Sequence, residues 1–328
     1  MRLHIAPRFS SYFCRSQPEM ILHLRIVPMS ILVIGEALID IVSTPGAPDR
    51  YAPGGAPANV ALGLGRLGVE VEFLTDVGDD FHGGFLLAHL QKSQVAVLAS
   101  PRGATSTALA RLADDGSAEY EFHLRWDPDS SPLKEAPRSV VHFGSIAAFL
   151  SPGSAVIDDV LASATGASGT HPRPLISFDP NIRPSIIGSR DDALPRFEEL
   201  ARRVDVLKLS DVDANWLYPD LDETAQVDRL LSLGANLVAM TRGGEGAIVA
   251  TASARASVTS RKVEVKDTIG AGDTFMVSLI HDLHAQENAV SDLSTAQLAA
   301  LGDRASALAA ITVSREGADL PWAADLTN

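Results

Sequence analysis

Cysteine is all but missing: Cys14 stands alone among 328 residues. No disulfide can form within one chain, and no cysteine-based metal site can be assembled. A reducing compartment suits such a chain, and the cytoplasm is the expected location. Positive charge is also scarce, with 27 Lys and Arg against 41 Asp and Glu and a net charge of −14. With no run of Lys or Arg to offset it, that surface repels nucleic acid, so no nucleic-acid partner is expected. No run of about 18 apolar residues occurs, so no membrane span is expected. Neither the Walker pattern GxxxxGK[ST] nor the protein-kinase motif set is found. Aromatic residues reach only 5 %.

What is there argues for a folded α/β protein. Hydrophobic residues are 46 % and charged residues 21 %, a balance that builds a core. Residues 1–29 are rich in Arg and poor in acid. They read either as a targeting peptide or as an extension ahead of a start at Met29, with no chemistry of their own. From Ser30 onward, short β-branched runs alternate with helical stretches. Ser30–Ile34, Val69–Leu74, Val140–Phe143, Leu175–Phe178, Val206–Leu209, Leu237–Thr241 and Ala247–Thr251 read as strands. Between and after them Ala58–Leu67, Ser154–Ala164, Asp191–Arg203, Asp211–Leu217, Thr274–His284 and Thr295–Thr312 read as helices. This alternation predicts a doubly wound, mostly parallel sheet with helices on both faces, over residues 30–328. One stretch breaks the rhythm. Ser106–Ala113 and Ala118–His123, joined through Asp114–Ser117, predict a β-hairpin, either an ordinary edge hairpin or part of a small lid spanning about 40–53 and 104–125.

Three glycine-rich runs compete for chemistry. Gly63, Gly65 and Gly68 match GxGxxG, but they lie inside a helix already begun near Ala58. A dinucleotide loop needs a strand before it and a helix start after it, so these glycines read as packing and a helix stop. Gly54–Gly55 followed by Asn59 can bring backbone and an amide side chain close to a ligand, or can simply be a loop and helix cap. The third run, Asp267 to Phe275 (DTIGAGDTF), places Gly270, Ala271 and Gly272 ahead of an apolar helix. Their amides at a helix N-terminus suit a transferring phosphoryl group. Asp273, in the first turn, can cap the helix or accept a proton from a bound hydroxyl.

Taken in order, the motifs GEALID, GGAPAN, VGDDFHG, HFGS, FDPNIRP, LKLSDVDANWLYP, TRGGEGA and DTIGAGDTF resemble the ribokinase-like (PfkB) carbohydrate kinases from about Ser30 to the C-terminus. FDPNIRP with the run ending WLYP is most similar to bacterial fructokinases. The resemblance implies a ribokinase-like fold with a β lid, and ATP-dependent phosphorylation of a sugar primary hydroxyl. D-fructose giving fructose 6-phosphate is the expected reaction; 2-keto-3-deoxygluconate, ribose or a nucleoside is the alternative acceptor. A nucleoside would call for more aromatic surface than this chain has. Lid residues such as Arg111 and Phe122 are candidates for setting the choice. The resemblance also implies residue roles. Asp40, Gly54, Gly55 and Asn59 hold sugar hydroxyls, and Arg183 reaches substrate or phosphate. Asp273 is the base, with Gly270, Ala271 and Gly272 as anion hole. Lys208, Ser210, Thr241, Gly243 and Gly246 serve the nucleotide. Asp267 helps hold a monovalent cation, potassium, and Asp213 reaches Mg²⁺ through water. The bland alternatives are a local ion pair for Arg183 and a solvated strand-end charge for Lys208. Two departures stand out: Ser210 and Asp213 occupy an Asn-x-x-Glu pair, and Val277–Ser278 replace smaller residues. Pairing of lids would make a homodimer.

Overall fold

A computed structural model describes residues 30–113, 118–134, 136–165, 172–284 and 289–327. The extension 1–29, with Cys14, and the expected Asp114–Ser117 turn lie outside the described residues. In chain order the elements are β1 (Ser30–Ile34), β2 (Leu38–Ser43), β3 (Arg50–Gly54), α1 (Ala56–Arg66), β4 (Val71–Leu74), α2 (Phe81–Lys92), β5 (Ala96–Leu98), β6 (Thr107–Leu112), β7 (Ala118–His123) and β8 (Arg138–Gly144). There follow α3 (Ser154–Thr165), β9 (Leu175–Asp179), α4 (Pro184–Ile187), α5 (Arg190–Ala201), β10 (Val206–Ser210), α6 (Asp211–Leu217) and α7 (Glu223–Ser232). The chain closes with β11 (Leu237–Thr241), β12 (Ala247–Ala250), β13 (Arg255–Val258), α8 (Ala271–Leu283) and α9 (Thr295–Val313).

Nine strands form one sheet in the order β13-β12-β11-β10-β9-β8-β1-β4-β5. It is parallel from β5 to β11, and β12 and β13 add on antiparallel. The strand β1 shows why its run is apolar throughout. Ile31 and Val33 enter one core, with α1, α8 and α9, while Leu32 and Ile34 enter the other, with α3, α5, α6 and α7. A strand buried on both faces carries no polar alternation. The neighbours of β1 are β8 and β4, so the chain leaves it in both directions. At such a switch point the carboxyl ends of the strands open a crevice for ligands.

A second sheet, β3-β2-β6-β7, stands on that crevice. It draws on strands separated in sequence, with β2 parallel to β6 and both outer pairs antiparallel. Register sorts its side chains. Asp40 pairs Ala52 and Ala108, and Ala108 pairs Phe122, so these share one face. Ser43 pairs Arg111 and so puts it on the opposite face, where it meets Glu121 at 3.2 Å. Phe122 therefore stays a candidate for facing an acceptor. Arg111 does not: a period of two turns it away from Asp40. Among the described residues no helix is long and apolar enough to cross a membrane.

Candidate functional site

Gly270 forms the N-cap of α8 with φ 78°, in the left-handed region that glycine enters without a Cβ clash. No side chain caps the helix there, so its first amides and the positive end of its dipole remain for an anion. The expectation of three outward amides is corrected at Ala271, whose N–H turns back to the Thr268 carbonyl at 3.3 Å. That of Gly272 has no partner among the described residues.

Asp273 is the third residue of α8, and it does not cap its own helix. Its Oδ2 accepts a hydrogen bond from Asn59 Nδ2 at 2.8 Å, across 214 positions of sequence. The two helices can meet this closely because of Gly63. A Cβ there would lie 2.7 Å from a Val277 methyl and from a Leu320 methyl. Asn59 and Gly63 are four apart on α1, and Asp273 and Val277 four apart on α8, so each pair shares one helix face. The glycine and the valine set the distance at which the amide reaches the carboxylate. Burial pushes the Asp273 carboxyl up to about 6, while Asn59 and Lys208 oppose the rise.

Asp40 projects from β2 towards the same crevice. Its carboxyl lies against Gly54, where a Cβ would stand 2.2 Å from Oδ2. Burial raises it to about 6, with Arg183 pulling the other way. Arg183, at the N-cap of α4, bonds the Ile182 carbonyl at 2.9 Å and acts electrostatically on both Asp40 and Asp273. Gly55 follows Gly54 as the N-cap of α1. These residues come from four separate elements, and the Asn59 bond and the Arg183 charge link them to Asp273.

On the other side of the α8 turn, Lys208 lies in β10 with its ammonium 2.7 Å from Asp179 Oδ2, both side chains almost fully buried. It is not a solvated charge. Ser210 caps α6 in a capping box with Asp213. Asp213 Oδ2 accepts from the Ser210 amide and Oδ1 from the Ile182 amide, both at 3.1 Å. Thr241 ends the neighbouring strand, paired with Ser210. Gly243 and Gly246 bracket the turn into β12. Asp267 ties the approach to α8 with one oxygen on the Ile269 amide and one on that of Gly317, each at 3.0 Å. Gly63 and Gly65 lie within α1 and Gly68 just past its end, remote from any strand-to-helix loop.

Residue patterns missed the floor of this site. Glu36, Ser145, His142 and Asp179 lie beneath it, at the ends of β1, β8 and β9. Glu36 Oε2 accepts from the Ala147 amide at 3.1 Å, and burial pushes its carboxyl up to about 7. His142 bonds Ser177 at 3.0 Å, and burial with the Lys208 charge brings it down to about 3. The signal was present in the unassigned acids of GEALID and FDPNIRP, but nothing local shows that their side chains turn inward.

A model of the pfkB family of carbohydrate kinases matches residues 29–325. The fructokinase of Rhizobium leguminosarum bv. trifolii is 35 % identical over 270 residues, 77 % of this chain and 79 % of that protein. The crystal structure of fructokinase with bound ATP from Xylella fastidiosa matches with a TM-score of 0.79 and 25 % identity, covering 92 % of this chain and 98 % of that one. A double-mutant fructokinase from Vibrio cholerae O395, bound to fructose, ADP and potassium ion, shares the fold at TM-score 0.75 and 23 % identity, over 89 % and 94 % of the two chains.

Proposed function

The chain belongs to the pfkB family of carbohydrate kinases, and we propose that it transfers the γ-phosphoryl group of ATP to the 6-hydroxyl of D-fructose. The observation that carries the reading is Asp273: a half-buried carboxylate, oriented by Asn59, in the first turn of a helix whose N-terminus is open to an anion.

In this reading the sugar lies under the four-stranded sheet, its hydroxyls held by Asp40, Asn59 and the Gly54–Gly55 backbone. Its attacking oxygen faces Asp273. As the O–P bond forms and the bond to ADP breaks, the hydroxyl proton passes to Asp273 and later to solvent. The Gly272 amide and the α8 dipole meet the charge on the phosphoryl oxygens, where positioning and electrostatics supply most of the rate. Arg183 bears on the same space. Lys208 backs the phosphate side, and Thr241, Gly243 and Gly246 lie along the strand ends proposed to bed the nucleotide. Closure of the sheet over the sugar keeps water from competing for ATP.

Among the described residues no group of three or more His, Cys, Asp or Glu could hold a metal ion. A divalent ion, Mg²⁺, would come with the ATP phosphates and shield their charge. Asp213, buried and accepting an amide on each oxygen, is proposed to reach that ion through water. Asp267 likewise accepts one amide on each oxygen, and it is the proposed ligand of a monovalent cation, potassium. The cytoplasm is the proposed compartment, and the outer edges of the lid sheet the proposed homodimer contact.

ADP release with ATP and Mg²⁺ across a panel of sugars tests the reading. Fructose gives the highest kcat/KM, and Asp273→Asn lowers kcat by about 10²–10⁴. A loss below about tenfold removes Asp273 as the base.

A further inference from the structure

The ammonium of Lys208 is nearer to the anion turn than its place in a buried strand suggests. A Cβ on Gly272 would stand 2.9 Å from Lys208 Nζ. The lysine thus ends directly beneath the peptide whose amide faces the phosphoryl group. Its partner, Asp179, is the last residue of β9. Asp179 Oδ2 takes the ammonium at 2.7 Å, and Oδ1 accepts from the Asn181 amide at 3.2 Å. Asn181 Nδ2 in turn reaches Ser145 Oγ at 3.3 Å. Both Asn181 and Ser145 hold positive φ, 38° and 58°, a backbone state that persists only where surroundings enforce it. The carboxylate is fixed at both ends.

We propose that Asp179 is a positioning residue for phosphoryl transfer: it keeps Lys208 charged and holds it beneath the Gly270–Gly272 turn, where that charge serves the transferring phosphate. The inference rests on the kinase reading of the site. Burial alone pulls the Lys208 pKa down, and Asp179, with Asp273 and Asp213 behind it, holds it above the ordinary lysine range. Burial raises the Asp179 carboxyl while the ammonium at 2.7 Å pulls it back. The groups facing this charge are Asp179 from β9, Asp213 from α6, Asp273 from α8 and His142 from β8. With its nearest carboxylate neutralised, the buried ammonium loses its proton at a lower pH.

The test is kcat/KM for ATP against pH, from about 6 to 9.5, on the full chain, with ATP affinity by calorimetry. Wild type keeps its activity on the alkaline side. Asp179→Asn acquires a new alkaline limb and falls at least about tenfold below wild type by pH 9, with a smaller deficit at pH 6. Lys208→Met is low throughout, without that limb. The double variant, which buries no lone charge and so protects folding, superimposes on Lys208→Met. An Asp179→Asn profile parallel to wild type, whatever its height, overturns the proposal, because damage without loss of the lysine charge has no pH signature. If Asp179→Asn does not fold, a double variant differing from Lys208→Met by more than about threefold overturns it too, since a residue acting only through Lys208 adds nothing in its absence. Wild type that binds ATP yet phosphorylates no sugar rejects the fructose reading alone, and the same pattern is then read in ATP affinity. Wild type that binds no ATP overturns both.

Discussion

The bond between Asn59 and Asp273 links the two halves of the site through one pair of atoms. Asn59 lowers the Asp273 pKa against the burial that raises it to about 6. With Asp273 as the proposed base, activity is expected above that value and is lost as pH falls through it. Asn59→Ala removes the donor and moves the acid limb of kcat upward by on the order of one pH unit; a limb that stays in place means the amide does not act on the base. Glu36 gives a second, opposite kind of signal. Its carboxyl rises from 4.5 to about 7 on folding. Below the unfolded value it is protonated in both states and costs nothing. Between the two values the unfolded chain ionises first, so stability falls as pH rises, by about 3 kcal/mol in all. Glu36→Gln keeps an acceptor for the Ala147 amide and removes the charge. Its melting temperature gains on wild type at pH 8 and little at pH 4.5; equal gains at both would show that ionisation of Glu36 is not what burial penalises.

Between elements, the decisive contact is α1 against α8. The run Gly63–Gly68 looks like a nucleotide loop, and in the folded chain its first glycine instead sets a helix–helix distance. Gly63→Ala forces a methyl into Val277 and Leu320, an overpacking that costs about 1–3 kcal/mol. It also parts Asn59 from Asp273, so kcat falls and the acid limb moves up as in Asn59→Ala. Val277→Ala in the same chain removes one of the two clashes and recovers part of both. If the double variant recovers stability but not the limb, the helix spacing does not govern the base. Capping tells a similar story about α6. Ser210 and Asp213 form a compact capping box, which anchors that helix start beneath the proposed nucleotide side.

For the molecule as a whole, the four-stranded sheet is the part proposed to close over the sugar. Its edge strands β3 and β7 leave their outer edges unpaired among the described residues, and they carry the exposed Tyr51 and Tyr120. Open strand edges invite a partner, and in the proposed homodimer a second copy of the same sheet would supply one. Sedimentation equilibrium gives twice the chain mass, and Tyr120→Glu shifts the population towards the single chain; a wild type that sediments as one chain at every concentration dismisses the pairing. The sequence alone determined the alternation of strand and helix, because a parallel strand buried on both faces leaves a continuous apolar run. It also determined the turn at Gly270–Gly272 and the acid after it, because a bare helix start is written in consecutive residues. Contacts between distant residues were another matter. The amide of Asn59 on Asp273, the carboxylate of Asp179 on Lys208, the inward turn of Glu36 and the outward turn of Arg111 depend on sheet order, register and the spacing of two helices. Those quantities arise only when the whole chain packs, so the tertiary structure alone decided them.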